Sequence, residues 1–235
     1  MKNVSKALVA TAVCSALSHT VWAAEADAPV QISANVSLTS DYVFRGYTQT
    51  LEDPALQGGF DLSHESGLYL GTWGSNVKFT ENGAPDDGAS LELDLYAGYK
   101  YKVNEDLGLD VGYSRYFYPG SDSNLHYEMG EFYVKGSYQF LTAAYFYSPE
   151  FFGKVGNTHY FNLGASYSLP YDVTLGGSVG RQNYSDLTDA DYTDWSLSLA
   201  KNVGGVDLKL AYTDTNVSGS KLADARAVFS IAKSF

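Results

Sequence analysis

"SLELDLYAGYKYKV", Ser90–Val103, decides the fold. Leu91, Leu93, Leu95, Ala97, Tyr99, Tyr101 and Val103 alternate with Glu92, Asp94, Tyr96, Gly98, Lys100 and Lys102. A period of two over such a length is a β-strand with one apolar and one polar face. The pattern recurs in "QISANVSLTS" (31–40), where Ile32, Ala34, Val36 and Leu38 form the apolar face, and in "VDLKLAY" (206–212). Parsed this way, the chain predicts about twelve strands. They lie near 31–47, 54–64, 67–79, 89–103, 106–118, 125–139, 141–149, 158–169, 172–184, 191–202, 205–215 and 225–235.

Two structures use alternation over a whole chain, a soluble β-sandwich and a transmembrane β-barrel. Composition favours the barrel. The sequence has 20 Tyr, 12 Phe, 3 Trp and 23 Gly, with only 18% charged residues. Its polar faces carry Ser, Thr, Gly, Asn and Tyr rather than the lysines of a solvated sandwich surface. The connections alternate too: "ES", "NE", "PY" and "VGG" are short, whereas "ENGAPDDGA", "PGSDSN", "PEFFGKVGN", "SDLTDA" and "NVSGSKLAD" are longer and polar. Short turns at one end, long loops at the other and an even strand count are the layout of an outer-membrane barrel. The chain ends in "FSIAKSF", with Phe229, Ile231 and Phe235 on one face, which resembles the terminal strand that barrel-assembly machinery recognises. Lys233 interrupts that face, as a snorkelling interfacial lysine can.

The N-terminus fits this destination. Lys2 and Lys6 precede an apolar run, "ALVATAVCSAL" (7–17), and "VWA" (21–23) sets small residues where a signal peptidase reads them. Residues 1–23 are therefore expected to be a signal peptide and 24–235 the barrel, exported to the Gram-negative outer membrane. Cutting after Ala23 removes the only cysteine, Cys14, and with it any disulfide or thiolate metal site. Loss of Lys2 and Lys6 takes the formal charge from −12 to −14, which argues against nucleic acid as a partner. The expected partners are outer-membrane lipid, lipopolysaccharide and small polar solutes.

Three stretches carry a family resemblance. "SDYVFRGYTQT" (40–50), "PALQGGFDLSHESGLYLGTWGSNV" (54–77) and "LELDLYAGY" (91–99) resemble the TorF family of porins. The resemblance covers about the first third of the mature chain and implies an outer-membrane barrel that passes solutes, with no cofactor and no catalytic residue to carry over. The rivals are a closed structural or adhesion barrel and an outer-membrane hydrolase.

Arg45 in "DYVFRGYTQT" is the residue this fold must explain. If the first strand runs to residue 47 with Ile32–Leu38 toward lipid, Asp41 and Arg45 point inward, and Tyr42 and Phe44 join an interfacial aromatic girdle. The same parity sends Asp61, Glu92, Asp94, Lys100, Lys102, Asp110, Glu131, Lys135, Asp207, Lys209 and Arg226 inward as pore-lining candidates. They would select solutes at a constriction, or pair across a filled lumen and only hold the barrel's shape. Arg115 and Arg181 fall on apolar faces close to long loops, so they would sit above the hydrocarbon or be turned inward by a bulge. A hydrolase would need a nucleophile with a base in reach, such as Ser123 beside His126 or Thr158 beside His159, and nothing in the spacing favours either pair. "DLTDADYTD" (186–194) lacks the Gly and closing Glu of a calcium loop and reads as a solvated acidic loop.

Overall fold

The computed structural model describes residues 29–80 and 85–235; the expected signal peptide lies outside them. The strands are β1 Val30–Thr39, β2 Val43–Phe44, β3 Tyr47–Thr48, β4 Ala55–His64, β5 Leu68–Asn76, β6 Leu91–Lys102, β7 Leu107–Phe117, β8 Met129–Tyr138, β9 Leu141–Ser148, β10 Thr158–Leu169, β11 Val173–Tyr184, β12 Tyr192–Val203, β13 Val206–Thr215 and β14 Arg226–Ser234. All but β2 and β3 form one closed antiparallel barrel of twelve strands. The seam pairs β1 with β14, from Asn35 against Ser234 to Thr39 against Ser230. Phe235 extends it: its amide donates to the Ala34 carbonyl at 2.8 Å and its own carbonyl accepts from the Ala34 amide at 3.1 Å. Closure leaves no strand edge, the condition for crossing lipid with strands.

The faces are sorted in reverse of a soluble protein. Ile32 and Phe60 are 66% and 64% exposed, and Leu56, Leu163, Leu197 and Leu210 are exposed with them. The largest fully buried side chains among the described residues are Gln182, Glu92, Glu131, Thr50, Thr158, Ser75 and Ser148, all polar. A sandwich would bury the leucines. Aromatic side chains mark both rims of the apolar band: Tyr101, Tyr138, Phe140, Tyr167, Tyr171 and Phe235 at the short-turn end, and Trp195 packed on Tyr212 toward the loops. Lys233 stays on the outer face, with Nζ 5.5 Å from the Phe235 ring centroid.

The expected extent of the first strand, and the aromatic girdle built on it, need correction. The first strand does not reach residue 47. It stops at Thr39, and the chain then makes a separate two-stranded hairpin, β2–β3, in which Val43 pairs with Thr48 and Phe44 with Tyr47. Arg45 and Gly46 form its turn with φ of 49° and 84°. Positive φ at both central positions is what a two-residue hairpin with right-handed twist requires. Tyr42 and Phe44 consequently leave the proposed girdle and pack inside the barrel. Arg115 and Arg181 are not turned inward: the strand register runs unbroken through both. Each stays on the outer face and pairs with a loop carboxylate, Arg115 with Glu128 at 3.0 Å and Arg181 with Asp191 at 3.4 Å.

The assignment of faces makes a direct prediction. Leu197→Arg, at the middle of β12 on the lipid side, should destabilise the barrel by about 2–4 kcal/mol. Ser198→Arg, one residue along on the lumen side, should cost far less. Denaturant titration of the protein folded into lipid vesicles measures both.

Candidate functional site

The lumen is the candidate site, and the inserted hairpin organises it. Its base is pinned at Asp41. One carboxylate oxygen, Oδ1, accepts from the Thr48 and Thr50 hydroxyls at 2.5 and 2.9 Å. The other, Oδ2, accepts from Arg226 Nη1 at 3.0 Å. Arg226 comes from the first residue of β14 and also donates to the backbone carbonyls of Asp224 and Lys221. All four of these side chains are buried.

From this base the hairpin crosses the lumen. Tyr42 donates to Glu92 of β6 at 2.7 Å and meets the Trp73 ring of β5 edge-on. Burial, with Glu92 and Asp94 beside it, pushes the Tyr42 hydroxyl well above its usual range, so it remains a donor. Phe44 packs edge-on against Tyr116 of β7, and Tyr47 against Tyr192 of β12. At the tip, a Cβ on Gly46 would clash with Thr215 on β13. With threonine at 215, only glycine permits that approach.

Arg45 sits at the tip and reaches the wall. Nη2 donates to Glu131 Oε2 of β8 at 2.8 Å, and Nη1 to Gln182 Oε1 of β11 at 3.0 Å. The guanidinium carbon lies 4.2, 4.6 and 5.0 Å from the ring centroids of Tyr160, Phe44 and Phe146. Burial opposes the charge, but Glu131 together with Tyr116, Tyr160 and Tyr192 outweighs it and keeps the group protonated. Two atoms of this grip find no protein partner, Glu131 Oε1 and Gln182 Nε2. The left-handed backbone of Arg45 adds roughly 1–2 kcal/mol of strain.

Round the barrel at this level, Thr39, Gln57, Ser75, Glu92, Tyr118, Glu131, Ser148, Thr158, Gln182, Asp194, Thr213 and Arg226 are all buried. Eleven lie on eleven different barrel strands, and Tyr118 directly follows the twelfth, β7. A complete ring of buried wall side chains therefore surrounds the hairpin. Above it, Phe79, Tyr118, Tyr127 and Phe152 from three long connections cluster, with Tyr127 and Phe152 stacked at 4.3 Å. Burial and the adjacent Asp87, which accepts its hydrogen bond, push the Tyr127 hydroxyl up to about 12.

Toward the short-turn end the lining changes. On β5–β10 the wall is bulky: Tyr96 donates to Asp61 at 2.6 Å, Tyr69 to Asp110 at 2.6 Å, and Tyr160 to Asp194 at 3.0 Å. Tyr69 also meets the Tyr133 hydroxyl, while Lys100 and Lys135 lie over the Tyr69 and Tyr133 rings. Across the bore, β11–β14 and β1 present Gly176, Ser178, Ser196, Ser198, Ala200, Ala211, Ser230, Ala232, Asn35 and Ser33, with Lys209 and Asp207. Most of these are half-buried and Lys209 is exposed. The lower lumen is a cup, lined on one side by small residues.

Of the sequence-derived candidates, the structure brings Arg45 to Glu131 and Asp41 to Arg226 and sets Glu92 under Tyr42. Asp94 lies beside Glu92 on the same face of β6; Asp61, Lys100, Lys102, Lys135, Asp207 and Lys209 line the cup. Sequence reasoning missed Trp73, Gln182 and the inward role of Asp194. Gln182 shares the parity of Gly176, Ser178 and Gly180, so strand period alone could have found it. The hydrolase pairs gain no support: Thr158 is buried on the lumen side of β10, and His159 on the other side accepts or donates to Tyr145 at 2.8 Å. The acids of 186–194 separate, with Asp191 bound to the Tyr184 amide and Asn183, and Asp194 to Tyr160.

The architecture is similar to that of known porins. It matches the solved KdgM porin with a TM-score of 0.56 at 13% identity, covering 86% of this chain and 98% of that one. KdgM in complex with disordered oligogalacturonate matches at 0.55 and 15% identity, covering 87% and 98%. The NanC porin matches at 0.53 and 11% identity, covering 86% and 98%. At these identities the likeness is one of fold. No curated protein sequence matches the chain. A family described as "Bacterial protein of unknown function (Gcw_chp)" matches residues 23–235, and the chain belongs to that family.

Proposed function

We propose that the protein is an outer-membrane channel for passive movement of small polar solutes, entered from outside between the long loops and emptying at the short-turn end. One observation carries this reading: the cup below the hairpin is lined on β11–β14 and β1 by glycine, serine and alanine. A barrel serving only as a wall or an adhesion platform gains stability by filling its bore with bulky side chains. Here half of the bore is left small. The porin-like fold and the resemblance of the N-terminal third to TorF porins point the same way, as does a relative in fold whose structure holds oligogalacturonate. Residence in the Gram-negative outer membrane, after removal of residues 1–23, follows from the same reading.

Charge at the constriction sets the preference. Arg45 and Arg226 are each neutralised by one carboxylate, Glu131 and Asp41. Glu92 and Asp194 at the same level, and Asp94 next to Glu92 on that face of β6, form no ion pair among the described residues. A weak preference for cations and neutral polar solutes results.

Planar-bilayer recording of the refolded mature protein tests this. Discrete conductance steps are expected, larger in a variant in which two glycines replace residues 42–49. A potassium chloride gradient should give a reversal potential favouring K⁺, and Arg45→Ala should increase that preference by removing the central cation. Folded protein that shows no steps, either as wild type or without the hairpin, would sink the channel reading and leave the closed structural barrel.

A further inference from the structure

We infer that the hairpin Asp41–Thr50 is a gate whose tip leaves the lumen while its base stays fixed, so that the sealed ring is the channel's closed state. The inference rests on the channel reading above and concerns how that channel opens.

Four observations carry it. First, the seal is complete at the hairpin's level: buried wall residues surround it on every side, whereas the cup beneath is accessible. A conducting path must therefore pass where the hairpin now lies. Second, the hairpin is a sheet of its own. β2 pairs only with β3 and adds no strand to the barrel, so it can move without breaking any barrel ladder.

Third, base and tip are held differently. At the base, Asp41 is saturated by Thr48, Thr50 and Arg226, and Arg226 is tied to two backbone carbonyls of its own loop. At the tip, Arg45 makes one bond to each of two groups whose second atoms are unpartnered. A grip that leaves Glu131 Oε1 and Gln182 Nε2 unpaired carries a desolvation cost that release to water relieves. Fourth, Arg45 holds φ of 49°, a strained value for a residue other than glycine. Strain of this kind belongs to switch positions when surrounding contacts enforce it. Release of the guanidinium from Glu131 and Gln182 frees the tip of the still-paired hairpin, which swings about the Asp41 anchor toward the loops.

The geometry offers a decisive lock. A Cβ built on Gly46 stands 3.7 Å from the Thr215 Cβ, within the 3.5–4.5 Å that a disulfide spans. The mature chain has no cysteine of its own, so Gly46→Cys with Thr215→Cys gives one bond, tip to wall. Oxidised protein, with the bond verified by mass, should lose at least about tenfold of its conducting fraction, and a reductant should restore it. Thr215→Cys alone should ignore the reductant. Equal conductance before and after reduction would overturn the gate while leaving the channel intact. Silence from the hairpin-deleted protein would instead overturn the channel itself.

A second variant guards against a folding defect in the cysteine pair. Glu131→Gln keeps the side-chain shape and removes the ion pair, and it should raise the opening frequency severalfold without changing the size of the open step. An unchanged opening frequency would show that Arg45–Glu131 is not the latch.

Discussion

Everything in this molecule follows from one constraint: in lipid, each backbone amide and carbonyl must find its partner within the protein. Twelve strands meet it by closing β1 on β14, and the last residue of the chain takes part in the seam. Closure turns the chain inside out. Leucines and aromatics go outward because the solvent there is apolar, and the carboxylates and arginines have only the bore left to occupy. The lumen thus concentrates charge in buried positions at the hairpin's level, where each pairing counts for more than it would on a surface.

That concentration explains why the bulky wall looks as it does. Tyr69, Tyr96 and Tyr160 each turn a hydroxyl onto an aspartate, and each ring lies over a glycine of a neighbouring strand: Tyr96 over Gly71, Tyr69 over Gly98 and Tyr160 over Gly180. The pairing solves two problems together. A strand glycine has no side chain to pack, and a buried aspartate needs a donor. A tyrosine long enough to cross one strand covers the first and satisfies the second. The arrangement is confined to β5–β11, and this asymmetry is what leaves the opposite wall small.

Much of this was legible in the sequence, and the limits are physical. The strands from 54 onward emerge from period-two alternation because a lipid face and a wet face impose it without exception. "GLYLGTWGSNV" shows no clean alternation, since glycine and threonine suit either side; the burial of Trp73, opposite Gly59, settles which face is inward. The hairpin was missed for a related reason. "VFRGYT" alternates as a strand would, and parity carried through it puts Arg45 in the bore for the wrong reason. The available signal was the Arg-Gly pair between two β-prone dipeptides, a weaker turn mark than Asn-Gly. Which wall residues the tip would meet depended on contacts from β7 to β13, with Gln182 alone 137 positions away along the chain. No local pattern encodes that.

The choice of arginine at a left-handed turn position is the instructive detail. Asparagine would adopt φ near 49° with less strain and would make the better hairpin on its own. It could not do what Arg45 does. Its amide stops short after two carbons, whereas the guanidinium spans from the hairpin tip to Glu131 on β8 and Gln182 on β11 while its planar face lies against Tyr160. Lysine has the length but neither the flat face nor the forked donors that engage two acceptors at once. Local backbone stability has been given up for a long, planar, permanently charged side chain at one point in the lumen. A residue selected merely to turn the chain would not carry that cost, so the turn exists to deliver the guanidinium, and the docking of the hairpin depends on whether Glu131 holds it.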